Sequence, residues 1–150
     1  MNATDNLNEL YQSILLDHAR HPHHEGTLAH PTHHGQGINP LCGDRITLEL
    51  MLQKGKIQDL RFHGEGCMIS KASASLLADL TQGQDLISLP PLITHALEFL
   101  VQGTPHPQVE ALACLSGIRQ FPARVKCATL AWHLLRALLE NPQPAIVSTE

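Results

Sequence analysis

An alternating stretch in the middle of the chain constrains the fold most. In residues 45–52, aliphatic side chains occupy every second position, which is the pattern of a strand with one buried face. Residues 54–55, Lys-Gly, supply a turn, and residues 57–63 predict a returning strand. Because Ile57 is out of step with the other apolar residues of this second strand, we expect a β-bulge or a strand-end contact there. The sequence therefore predicts an antiparallel hairpin.

Helices are predicted on both sides of this hairpin. The first and last have apolar stripes at three- and four-residue spacing, and the second is rich in small residues. Pro22 should end the first helix, and Pro122 is a favoured first residue for the last. A shorter helix is expected over residues 109–118. The four longer helices are predicted over residues 7–21, 67–81, 91–101 and 122–140.

Length and charge set the broad class. The 150 residues suffice for one domain, so we predict a single domain over 1–150, with a core over 7–140 and a loose tail over 141–150. A net charge of -4 without a Lys/Arg block argues against nucleic-acid binding. We see no transmembrane run and no signal-peptide pattern, so we expect a cytoplasmic protein. In that compartment, four cysteines are expected to be ligands or nucleophiles rather than disulfides.

Three of the cysteines and one aspartate form a candidate metal site. Cys42 and Asp44 flank Gly43 at the start of the first hairpin strand, and Cys67 follows the second. The hairpin therefore brings these three residues together, while the helical phase turns Cys127 towards the core. We hypothesise that Cys42, Asp44, Cys67 and Cys127 bind one tetrahedral Zn²⁺. Spacing alone leaves an alternative open, in which the cysteines are small buried hydrophobes and Asp44 caps a turn.

Such a zinc site would be reactive rather than purely structural. Carboxylate is a harder and weaker partner for zinc than a fourth thiolate, so ligand exchange is easier. Cys67 is expected at a helix N-terminus, where the helix dipole favours the thiolate. Three thiolates, one carboxylate and Zn²⁺ carry a formal charge of about -2. Arg124 and Lys126 are the cations expected to offset this charge.

Three motifs give the chain a family resemblance. Residues 39–45 (NPLCGDR), 64–75 (GEGCMISKASAS) and 121–132 (FPARVKCATLAW) resemble the SufU branch of the IscU/NifU-like family. The likeness extends over residues 7–140. It implies an α+β fold of the SufE/NifU-like type: a small antiparallel three-stranded sheet with helices packed on one face. The third strand would lie in residues 33–38.

The resemblance also implies a function. It assigns Zn²⁺ to Cys42, Asp44, Cys67 and Cys127. It implies an accessory sulfurtransferase that docks on a pyridoxal-phosphate cysteine desulfurase of the SufS type. We expect the protein to be a monomer. A histidine of the desulfurase would replace one cysteine at zinc, and Cys42 would accept the persulfide sulfur. Arg124 would tune the thiolates or meet the persulfide, and the sulfur would pass to downstream SUF assembly components.

Two other functions stay open. One is an IscU-like scaffold on which a [2Fe–2S] cluster is assembled. Lys126 disfavours it, because the scaffold branch has histidine at that position. Residues 84–120 also look like an insertion typical of the SufU branch. The other alternative is a zinc-stabilised interaction module without transfer chemistry.

Several remaining residues receive structural interpretations. Cys114 lies in an apolar stretch and is expected in the core, and Trp132 is expected to pack internally or to contact a partner. Seven of the eleven histidines fall within residues 18–34. They could form a metal-binding tract, but we favour a polar surface loop. His18 and His63 could support the metal ligands, although ordinary local hydrogen bonding is the simpler interpretation.

Overall fold

The helices and strands follow the predicted order. The computed structural model describes residues 3–149, with side chains from residue 6 onwards. The 109–118 stretch lies in a 3₁₀ segment rather than an α-helix. The elements are α1 (Ala3–Arg20), β1 (His33–Asn39), β2 (Asp44–Gln53), β3 (Lys56–Glu65), α2 (Met68–Thr81), α3 (Leu89–Gln102), the 3₁₀ segment (Pro107–Gln120), α4 (Pro122–Glu140) and β4 (Val147–Ser148).

The sheet has four strands rather than the three expected. Its order is β3-β2-β1-β4. The hairpin β2–β3 and the pair β1–β2 are antiparallel, whereas β4 runs parallel to β1. The additional strand comes from the tail that we expected to be loose. There the backbone N–H of Thr149 donates to the carbonyl of Ile38, and that of His34 donates to the carbonyl of Pro142. These contacts satisfy backbone groups on the outer edge of β1.

The hairpin is built as its sequence predicts. The register shifts between Met51 and Leu52, and Leu52 lies opposite Ile57, which agrees with the irregularity expected at Ile57. Ile46, Leu48 and Leu50 are buried on one face of β2, and the residues between them are only half-buried. Alternation thus sorts the side chains of β2 between the core and the other face of the sheet.

Helices α2 and α4 pack together on this sheet. The Ser73 hydroxyl of α2 donates to the Ala128 carbonyl of α4 over 2.6 Å. A Cβ on Gly37 of β1 would lie 2.9 Å from Cδ1 of Leu130, so this glycine permits close contact between α4 and the sheet. Trp132 is fully buried in α4, which confirms packing as its role. The core fold is therefore the predicted α+β arrangement of a small sheet and packed helices.

The histidine-rich loop runs along the free edge of β3. The backbone N–H of Gly26 donates to the carbonyl of Phe62, and the N–H of Phe62 donates to the carbonyl of His24. The loop also reaches β2, where the N–H of Leu28 donates to Oε1 of Glu49 over 2.8 Å. Within residues 3–149, helices of sufficient length and hydrophobicity to cross a membrane are absent.

Candidate metal centre

The ends of β1, β2, α2 and α4 meet where the strands of the sheet end. Asn39 ends β1 and lies opposite Asp44, the first residue of β2. The tight loop between them contains Cys42, whose backbone N–H donates to the carbonyl of Asn39. Gly43 adopts a φ of +71°, a conformation that side chains rarely adopt, so glycine suits this turn. Cys67 is the N-cap residue of α2 and Cys127 lies in the first turns of α4.

This meeting point brings the predicted ligands together. The sulfur atoms of Cys42 and Cys127 and a carboxylate oxygen of Asp44 lie within 4.8 Å of one another. Cys67 borders the group: its backbone N–H donates to Oδ1 of Asp44 over 2.8 Å, and its thiol contributes to the raised pKa of Cys127. Cys127 and Asp44 are buried, whereas Cys42 and Cys67 are half-buried. The group is therefore open to solvent on the side of Cys42 and Cys67.

The Asp44 carboxylate is held at both oxygens. The backbone N–H of Cys67 contacts Oδ1, and Nδ2 of Asn39 lies 3.4 Å from Oδ2. Gly66 leaves the space that the carboxylate needs, because a Cβ there would lie 2.9 Å from Oδ1 of Asp44 and would also collide with the Ser70 hydroxyl. If Asp44 only capped a turn, that role would explain its contact with the backbone N–H of Cys67 but not its contact with Asn39. The second contact and the buried cysteine beside it favour a positioned ligand.

Asn39 is the positioning residue that the sequence analysis missed. Its amide is fully buried, and Nδ2 lies 3.3 Å from Sγ of Cys127 as well as near Asp44. Among the described residues, its Oδ1 has no hydrogen-bond partner. Asn39 is the first residue of the motif at 39–45, but no sequence pattern indicates that its amide contacts Cys127 in α4.

The surroundings of Cys127 favour the protonated form of its thiol. Burial is the main cause that raises the pKa of Cys127, followed by hydrogen bonding with Asp44, Cys42 and Cys67. Without a cation beside it, the Cys127 thiol therefore favours its protonated form. A divalent metal would displace that proton and bind the thiolate.

Arg124 stands at the mouth of the cluster. Its side chain is exposed, and attraction to the thiolate form of Cys67, then to those of Cys127 and Cys42, raises the pKa of Arg124. Arg124 lies in the first turn of α4, one turn before Cys127. The structure thus places a permanent cation beside the candidate ligands, as the sequence analysis expected.

Three exposed apolar side chains lie next to residues or elements of the centre along the chain. We call Leu41, Met68 and Phe121, which are 66%, 45% and 58% exposed, the apolar rim. Leu41 adjoins Cys42, Met68 adjoins Cys67, and Phe121 is the N-cap residue of α4. Large apolar side chains left in solvent around a polar centre are typical of surfaces that contact another protein.

The donor set fits two kinds of metal group. Three cysteines and one aspartate meet the ligand count and type of tetrahedral zinc. Cysteine thiolates also hold iron–sulfur clusters. The residues present therefore fit a metal, and the donor set alone leaves its identity open.

Cys114 belongs to the core, as expected. It is buried in the 3₁₀ segment, where burial raises the pKa of its thiol to about 11.

The histidines of residues 18–34 differ in their exposure to solvent, unlike those of a simple polar loop. His21, His30 and His34 are exposed, but His18 is buried and lies with His23 against Asp79 of α2.

Comparison with known proteins decides the family. Residues 10–128 match the family model of the NifU-like N terminal domain. The chain belongs to this family. The resemblance predicted from the three motifs is thereby confirmed. So is the predicted fold class, apart from the additional strand.

Two relatives of this NifU-like chain illustrate the family. The iron-sulfur cluster assembly scaffold protein IscU of Streptococcus pyogenes serotype M1 is 36% identical over 93% of this chain and 88% of its own. The zinc-dependent sulfurtransferase SufU of Bacillus subtilis (strain 168) is 36% identical over 90% of this chain and 92% of its own.

A solved structure supports the same placement. A putative iron-sulfur cluster assembly scaffold protein for the SUF system from Fervidobacterium islandicum AW-1 is similar to this chain with a TM-score of 0.80 and 25% identity. The match covers 88% of this chain and 98% of that one. These relatives place the NifU-like chain in an iron–sulfur cluster assembly family, and both named roles, scaffold and sulfurtransferase, occur among them.

Proposed function

We propose that this protein is a zinc-dependent sulfurtransferase of the cytoplasm. It accepts persulfide sulfur from a pyridoxal-phosphate cysteine desulfurase of the SufS type and passes it on to SUF-type iron–sulfur cluster assembly. One observation carries the proposal: a buried carboxylate and a buried thiol lie within 4.8 Å of a half-exposed thiol, Cys42. The likeness to a zinc-dependent sulfurtransferase over 90% of the chain supports it.

Cys42, Asp44, Cys67 and Cys127 are the proposed zinc ligands. Bound zinc would keep the cysteines as thiolates at neutral pH. The chain supplies the geometry: Asn39 and the backbone of Cys67 hold the Asp44 carboxylate, and α4 holds Cys127 in the core. Two ligands are thus fixed, and two lie on the open side.

Cys42 is the proposed sulfur acceptor. Its thiolate attacks the terminal sulfur of the donor persulfide. The S–S bond of the donor breaks, the desulfurase cysteine leaves as a thiolate, and Cys42 becomes a persulfide. Fully buried Cys127 offers no such access. Cys67 is half-buried like Cys42, and the motif resemblance is what assigns the acceptor to Cys42. Cys42 lies in a short loop beside exposed Leu41.

Arg124 is proposed to assist this transfer. The transferred group and the cysteine that leaves are both anionic, and a guanidinium stabilises anions at close range. Because Arg124 is exposed beside Cys67, Cys127 and Cys42, it can meet the incoming persulfide without movement of the core. The apolar rim would contact the desulfurase surface and exclude water from the transfer.

The deciding experiment measures sulfide release by a cysteine desulfurase of the SufS type with and without this protein. Zinc content is determined first by mass spectrometry of the metal. We expect about one zinc per chain, by the ligand count of a tetrahedral site, and stimulation that disappears in Cys42→Ala. Asp44→Ala should lose zinc or exchange it faster. Cys114→Ser, which removes a core thiol, is the matched control and should behave as the parent.

A scaffold is the second candidate function. It is favoured by the relative from Streptococcus pyogenes, which bears the scaffold name at the same identity of 36%. Zinc-free protein that acquires an iron–sulfur chromophore upon reconstitution and fails to stimulate the desulfurase would establish the scaffold and exclude the sulfurtransferase.

A further inference from the structure

A second cluster of metal-ligating side chains lies away from the cysteines. Ligand atoms of His18, His23 and Asp79 lie within 4.8 Å of one another. His18 is in the last turn of α1, His23 follows in the loop, and Asp79 is in α2. Asp79 is twelve residues along α2 from Cys67, which is about 18 Å at 1.5 Å per residue. The two centres are therefore separate, and this inference does not depend on the proposed sulfur transfer.

The hydroxyl of Ser75 organises the two histidines. Oγ of Ser75 lies 2.8 Å from Nδ1 of His18 and accepts the backbone N–H of His23 over 2.8 Å. Ser75 is fully buried and lies one turn before Asp79 in α2. Because Nδ1 of His18 contacts the hydroxyl, Nε2 is the ring nitrogen that remains free to bind a metal ion. Metal-binding histidines are commonly oriented by such a hydrogen bond at the other nitrogen.

The carboxylate of Asp79 is oriented by a further histidine. Nδ1 of His23 lies 2.7 Å from Oδ2 of Asp79, and Nε2 of His24 lies 3.4 Å from Oδ1. Arg61 can only donate, and its guanidinium lies 3.3 Å from Nδ1 of His24. Nδ1 of His24 therefore accepts, and Nε2 carries the proton that points towards Asp79. His24 thus orients the carboxylate and is not itself a ligand in this arrangement.

We propose that His18, His23 and Asp79 form a second zinc site. Two imidazoles and one carboxylate are a donor set that zinc takes, with a fourth position left for water or an external ligand. The exposed fractions of the His23 and Asp79 side chains, 46% and 37%, allow a cation to enter from solvent. A bound ion would join the end of α1 and the histidine-rich loop to α2.

Zinc titration of the protein with its as-purified metal tests this site. Metal content is counted first, and zinc chloride is then added in a calorimeter. We expect one equivalent per chain to bind during the titration, in addition to the zinc that the cysteine centre holds. His23→Ala and Asp79→Asn should weaken this equivalent at least tenfold, and Ser75→Ala about 10- to 100-fold, as is usual for groups that orient a metal ligand.

His21→Ala is the matched control, because His21 is an exposed histidine of the same loop outside the cluster. It should bind the additional zinc as the parent does. Nitrogen chemical shifts of the imidazoles give a second measurement, and zinc should move those of His18 and His23. The proposal is wrong if the parent holds no second equivalent, if His21→Ala weakens it as much as His23→Ala, or if zinc moves other histidines instead.

Discussion

Replacement of Asn39 by alanine should weaken zinc binding at the cysteine centre. The amide lies 3.3 Å from Sγ of Cys127. A hydrogen bond between neutral groups contributes about 0.5–1.5 kcal/mol, and one to a charged group about 1.5–3 kcal/mol. When zinc converts the thiol to a thiolate, the bond strengthens by about 1–1.5 kcal/mol. Asn39→Ala should therefore raise the Kd for zinc about tenfold.

The effect on the metal-free fold should be small. Loss of the two long contacts of Nδ2 is offset in part, because the substitution would also remove an amide oxygen that has no partner among the described residues. Competition with a chromophoric zinc chelator gives the Kd, and thermal unfolding of the metal-free protein gives the stability. Asn39→Asp should bind zinc more weakly than Asn39→Ala, because it replaces a donor by an anion.

The control for this experiment lies on the same strand. Gln36 is half-buried, and its position in β1 has the opposite parity to buried Asn39, so its side chain faces the other side of the sheet. Gln36→Ala should leave zinc affinity unchanged. An Asn39→Ala variant with a Kd within about twofold of the parent, well below the tenfold change expected for one charged hydrogen bond, would show that the amide does not contact a zinc-bound thiolate.

Three further predictions concern other residues. Arg124→Ala should retain zinc but slow desulfurase-dependent sulfide release; equal loss of zinc would show that the guanidinium acts on metal retention instead. Gly37→Ala should destabilise the protein by about 1–3 kcal/mol in urea unfolding, because its Cβ would press on Leu130. Gly117→Ala is the control, because a Cβ there would meet no neighbouring atom within 4 Å. Its free energy of unfolding should stay within about 0.5 kcal/mol of that of the parent. Cys114, with a pKa of about 11, should react with iodoacetamide far more slowly at pH 8 than Cys42, as measured by peptide mass spectrometry; comparable rates would contradict its burial.

The candidate ligands could be predicted because simple periodicities position them. Period-two alternation in β2 and β3 defines a hairpin, and a hairpin brings its two open ends together. Asp44 and Cys67 lie at those ends. The helical phase of α4 then turns Cys127 inwards. None of these steps needs knowledge of the remaining fold.

Other features depend on contacts that leave no local pattern. Strand β1 contains two glycines and little apolar alternation, so only the family resemblance predicted it. Strand β4 is two residues long, too short for any periodicity. The contacts of Asn39 with Cys127 and of His18 with Ser75 span 88 and 57 residues. Such pairs are decided by how the helices pack on the sheet, which the sequence of either partner does not show.

The meeting of four element ends at one centre has a consequence for folding. Residues 39–44 and Cys127 become neighbours only after α4 has docked across β1, at a separation of 88 residues. Metal binding to the complete ligand set therefore follows assembly of the sheet and its helices. A ligand that binds only the folded state at about one hundred times its Kd adds about 2.7 kcal/mol to the free energy of unfolding. Release of zinc should consequently accompany global unfolding, so a zinc-sensitive dye would report the opening of the whole domain.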